Sequence, residues 1–128
     1  MFKTISPIDN TIYVERNYAS SQEIEKALDI SKKNFSLWRN KSINERKSIL
    51  TRFVDLFLKN KNEIEEQLCR QMGRPISQCS GEMNGFEERA RYMIDKSEQA
   101  LENIISKKDN EFDNFISKDP LGTIFIIA

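Results

Sequence analysis

The six residues Thr123-Ile124-Phe125-Ile126-Ile127-Ala128 set the strongest limit on what this chain can fold into. They are apolar without the alternation of a strand that has one wet face. A short continuous apolar run of this kind suits a strand buried on both faces, as in the parallel sheets of α/β proteins. Such a strand needs a following loop and helix, and strands beside it. The sequence stops as the run finishes, although natural termini usually sit at the surface. The expectation is therefore an α/β parent fold whose larger nucleotide-binding sheet is cut after its first βα unit, with residues 120–128 as that unit's strand.

Upstream, the pattern is mostly helical. Residues 5–15 read as strand, turn and strand: Pro7 and Asp9-Asn10 supply turn chemistry, and residues 11–14 suit a pleated surface. Ser20-x-x-Glu23 and Ser42-x-x-Glu45 each have the spacing of a capping box, in which hydroxyl and carboxylate satisfy helix-start N–H groups reciprocally. After the first, Ile24, Ala27, Leu28, Ser31, Phe35 and Trp38 form one stripe, with the two aromatics expected in the core. After the second, Ile49, Leu50, Phe53, Leu56 and Phe57 line a face. The polar run 59–62 divides that helix from another near Asn60, which ends at Gly73 and Pro75. Ser77 is the expected cap of a further helix, with Cys79, Met83, Phe86, Ala90, Met93, Ser97, Leu101 and Ile104 facing inward. Gly81 and Gly85 cost that helix about 1 kcal/mol each relative to Ala, so close approach of another element is expected there. Residues 112–118 read as a strand and 119–122 as a turn.

Composition excludes several functions. Lys+Arg and Asp+Glu both number 20, and the two signs are interleaved, so no field steers the chain to nucleic acid or anionic lipid. No stretch approaches the ~20 apolar residues of a membrane helix, and Met1-Phe2-Lys3-Thr4 does not open a signal peptide. Histidine is absent, which removes the commonest general base and the commonest metal ligand. Cys69 and Cys79 are too few for a disulfide framework or a tetrahedral zinc site. They read as buried thiols of a cytoplasmic protein.

In this order, the segments resemble the aldehyde dehydrogenase superfamily over nearly the whole chain. The resemblance is carried by Ser6-Pro7 with Ile12-Tyr13-Val14, Phe35 and Trp38, Glu45-Arg46 with Ile49-Leu50, and Gln71-Met72-Gly73-Arg74-Pro75. Glu82 and Asp119-Pro120-Leu121-Gly122-Thr123-Ile124 complete it. Arg74 stands where the family usually has Lys. Residues 71–93 are similar to succinate-semialdehyde-dehydrogenase-like members.

The resemblance implies an NAD(P)-dependent oxidoreductase that converts an aldehyde to a carboxylic acid. A cysteine thiolate attacks the carbonyl, N–H donors hold the oxyanion, and hydride passes to the nicotinamide. It places the nucleophilic cysteine, the catalytic glutamate and the asparagine of a Pro-Trp-Asn beyond Ala128, so this chain holds no catalytic residue and is expected to be inactive. Only Ile127 and Ala128 would touch the cofactor, NAD or NADP, through backbone at the strand's carboxyl end. Alone, the chain is expected to bind neither. The resemblance also implies a homo-oligomer and a division of this N-terminal fragment. Residues 1–19 would form a hairpin arm, 20–108 a helical layer of the NAD domain, and 109–119 a strand of the bridging β-structure.

A stand-alone helical interaction module is the alternative of a different class. Its apolar stripes would then be partner surface, and the chain would behave as a cooperatively unfolding monomer. Redox or metal binding at Cys69 and Cys79, ten residues apart, is a weaker third reading.

Overall fold

The computed structural model describes residues 1–108 and 111–127. The elements run β1 (Phe2–Ile5), β2 (Ile12–Arg16), α1 (Ser21–Arg39), α2 (Ile43–Lys59), α3 (Lys61–Met72), α4 (Ile76–Leu101), β3 (Ile104–Lys108) and β4 (Asp113–Ile116). The chain is mainly helical, with an antiparallel hairpin near each end. β1 pairs with β2 and β3 with β4, in two separate two-stranded sheets.

Both capping boxes form. Ser20 Oγ accepts from the Glu23 backbone N–H, and the Glu23 carboxylate accepts from the Ser20 N–H at 2.8 Å. Ser42 and Glu45 repeat this at the start of α2. Asn60 divides α2 from α3 as expected. Gly73 then closes α3 with φ 69°, a left-handed backbone that glycine adopts at no steric cost. The first turn leans on this helix end: a Cβ at Gly73 would lie 2.8 Å from Pro7 Cγ. Ser6 is buried inside that turn, where its carbonyl accepts from Asn10 N–H and its hydroxyl from Ile8 N–H.

The core sits where α2 and α3 pack on α4. Val54, Cys79 and Met83 are buried there, and Phe57 meets Phe86 with ring centroids 4.6 Å apart. Arg91 links α4 to α2 by donating to Asp55 at 2.8 Å, while also holding Glu87 on its own helix. Lys47 and Glu98 pair further along the same two helices.

Several expectations are corrected. On α2 the buried position is Val54, 1% exposed, whereas Leu50, Phe53 and Leu56 face outward. The helix turns its 47, 51, 54, 58 row toward α4, as the Lys47 and Asp55 bridges require. On α4 the inner row passes through Ile94 rather than Met93, which is 68% exposed. α4 is preceded by Pro75 with no side-chain cap, and Ser77 lies inside the helix. α4 also ends at Leu101. Ile104 belongs to β3 and not to the inner face of that helix, and the expected strand at 112–118 narrows to β4.

Ile24, Ala27 and Leu28 are exposed on α1, because no described element covers its first half; only Ser31, Phe35 and Trp38 of that stripe are half-buried. Gly81 meets nothing within contact distance, and a Cβ on Gly85 would touch only the Arg89 guanidinium. Close packing is therefore not the reason for either glycine. Among the described residues no helix is long and apolar enough to cross a membrane.

Candidate functional site

The residues singled out by sequence fall in two regions, one along α1 and the other at the α3–α4 turn. Along α1 lies the apolar segment itself. Gly122, at φ 116°, turns the chain out of Asp119-Pro120, and the Ser31 hydroxyl donates to Thr123 Oγ1 at 2.7 Å. Lys118 Nζ, just upstream, donates to the Ala100 carbonyl at the end of α4, also at 2.7 Å. The segment is thereby tethered at its upstream end beside the half-buried part of α1, with Leu28, Phe35 and Phe125 around a shared hollow.

Residues 121–127 pair with no strand of the described chain, so the expected strand is not formed as one here. Strand identity comes from hydrogen bonds to a neighbour, and none of the described strands lies alongside. Ile127, the expected cofactor contact, is 85% exposed. The other, Ala128, lies outside the described residues. Ile127 contributes an apolar side chain and its backbone groups.

At the α3–α4 turn, Arg74 and Glu82 come together as a hydrogen-bonded ion pair. Each is a separate element of the sequence resemblance, eight residues apart, and Arg74, directly before the cap of α4, reaches forward along that helix to Glu82. The pairing was not legible beforehand; an acid and a base flanking a predicted turn were its only sign. Leu68, Met72 and Gln78 flank the pair.

Glu45 is engaged by the helix start. The backbone N–H and then the hydroxyl of Ser42 hold its carboxyl below the usual carboxylate range, with Lys41 assisting. Arg46 beside it has a buried Nε without an acceptor. Arg39 lies over the Phe35 ring at 5.7 Å.

Cys79 is fully buried and its Sγ lies 3.5 Å from the Pro75 carbonyl. Burial first, then the nearby Cys69 thiol, push its pKa up. A thiol kept protonated in the core is a packing group and not a nucleophile. Neither cysteine is in a disulfide, and no group of three or more metal-binding side chains occurs among the described residues.

Solved structures show what fold this is. A succinic semialdehyde dehydrogenase from Streptococcus pyogenes, bound to NADP+, superimposes with a TM-score of 0.77 at 21% identity, over 85% of this chain and 24% of that one. An NAD-dependent benzaldehyde dehydrogenase from Corynebacterium glutamicum gives 0.77 at 21% identity, over 91% and 25%.

The chain belongs to the aldehyde dehydrogenase family, whose profile matches residues 1–128. Similar curated proteins include a succinate semialdehyde dehydrogenase of Acinetobacter baylyi, 23% identical over 83% of this chain and 22% of that protein. The mitochondrial succinate-semialdehyde dehydrogenase of Rattus norvegicus is 26% identical over 73% of this chain and 18% of its own length. The chain thus spans only about a fifth of the length of these relatives.

Proposed function

We propose that residues 1–128 are the N-terminal portion of a cytoplasmic, homo-oligomeric NAD(P)-dependent aldehyde dehydrogenase that oxidises a small semialdehyde of the succinic semialdehyde kind. The observation that carries this reading is the family match along the whole chain, set against the small share of each relative that the chain spans. In this reading the nucleophilic cysteine, catalytic glutamate and oxyanion-holding asparagine come from sequence beyond Ala128. Residues 1–19 form an arm, α1–α4 cover one face of the NAD domain, β4 joins the bridging β-structure, and residues 120–128 become the first strand of the Rossmann-like sheet. The 85% exposure of Ile127 supports that last assignment, since a strand meant for the middle of a sheet has its cover supplied by other segments.

The 128-residue chain alone then lacks the groups that do the chemistry. Purified and mixed with succinic semialdehyde and either NAD+ or NADP+, it is expected to produce no reduced nicotinamide above a protein-free blank. Measurable turnover would overturn the inactive reading. The DNA after the codon for Ala128 is expected to continue in frame into Pro-Trp-Asn, and a frame leading into an unrelated domain would sink the assignment.

A further inference from the structure

We propose that the cleft between the end of α1, the first turn of α2 and the turn at residues 118–122 binds an amphiphilic carboxylate, its head held by Arg46 and Arg39 and its hydrocarbon part against Trp38. The cleft has a volume of about 480 Å³. Three cations, Arg39, Arg46 and Lys118, line it against one acid, Asp119, in a chain whose formal charge is otherwise balanced. Among the described residues none of the three forms an ion pair. Arg39 rests on the Phe35 ring and Lys118 spends one donor on the Ala100 carbonyl.

Arg46 Nε is withdrawn from water with no acceptor. A buried N–H of a charged group left unpaired is costly, so the guanidinium is held there by its surroundings and not by an acceptor. A guanidinium fork matches a carboxylate in two parallel hydrogen bonds. The remaining wall is hydrocarbon and indole: Trp38, Leu101 and Ile124. Cations together with an apolar wall select an anion with an apolar body over a bare inorganic anion. None of its residues has been given a catalytic role.

Trp38 is the only tryptophan of the chain, so its fluorescence reports occupancy directly. The whole chain is titrated with hexanoate and, separately, with inorganic phosphate at constant ionic strength. A saturable hexanoate response is expected, with phosphate binding weaker by about tenfold or more. Arg46→Gln is expected to weaken hexanoate by about tenfold, the loss of a charge-assisted hydrogen bond. Arg39→Gln, at the more exposed position, tests the same site should Arg46→Gln unfold the chain. Lys59→Gln, which removes an equal charge outside the cleft, is expected to leave the curve unchanged. A linear response, equal affinity for phosphate, or unaltered binding in the folded Arg39→Gln chain would overturn the proposal.

Discussion

A single backbone angle shows how much one residue can decide. Gly73 closes α3 at φ 69°, and the ring of Pro7 occupies the space where its side chain would stand. Gly73→Ala therefore carries two costs. The left-handed backbone is unfavourable for an L-residue by about 1–2 kcal/mol, and the new methyl collides with Pro7. Chemical denaturation is expected to show a loss of at least about 1 kcal/mol, because Pro7 can retreat only by lifting the first hairpin off α3. An unchanged midpoint would mean that the hairpin is not seated on α3 in solution. The neighbouring pair Arg74 and Glu82 makes the complementary point. Their types and positions were readable one at a time, but their contact depended on how the chain at Arg74 enters α4.

At the scale of the element, the two capping boxes were the most legible features of the sequence, and they make stability depend on pH. Glu23 and Glu45 each accept a backbone N–H and a hydroxyl from the serine three residues back. Those bonds, the backbone one foremost, hold both carboxyls below their usual range. In the unfolded chain the bonds are gone and the ordinary affinity for protons returns. The unfolded state then binds more protons at these sites. The caps therefore contribute fully above the ordinary glutamate range, and the contribution drains away as pH falls through the folded values. Thermal unfolding followed from neutral to acid pH is expected to show this decline, with a shallower slope in Glu23→Gln/Glu45→Gln. An identical slope in the double variant would place the acid sensitivity elsewhere.

Which helix face turns inward was much less legible. The apolar residues of α2 spread over a broad arc, so periodicity allowed Phe53 and Leu56 as readily as Val54. The Arg91–Asp55 and Lys47–Glu98 bridges to α4 settle which part of the arc is covered. β3 was missed because Ile104 continues the helical spacing of α4; pairing with β4, which no local pattern reveals, makes it a strand.

For the whole molecule the decisive quantity is apolar surface. The fully covered apolar side chains are few, Val54, Cys79 and Met83, while Leu121, Ile124, Phe125, Ile126 and Ile127 stand in solvent. A run of β-branched and aromatic residues without charge is a template for pairing with its own copies. Purified as 128 residues, the chain is expected to self-associate as concentration rises, measured by sedimentation velocity. Phe125→Lys/Ile126→Lys is expected to shift it toward monomer. If the parent chain stays monodisperse at all concentrations, the segment is covered in solution by something in the chain itself.

By itself the sequence determined where α1 and α2 start and where α3 stops, that the run 123–128 suits a sheet interior, and the family to which the whole belongs. Those properties are local: a cap, a turn or an apolar run acts within a few residues of itself. Only the tertiary structure decided which faces are wet, which charges meet, and that Arg39, Arg46 and Trp38 come to line one cleft. Those outcomes depend on the relative placement of segments distant in sequence, which the pattern within any one segment does not encode.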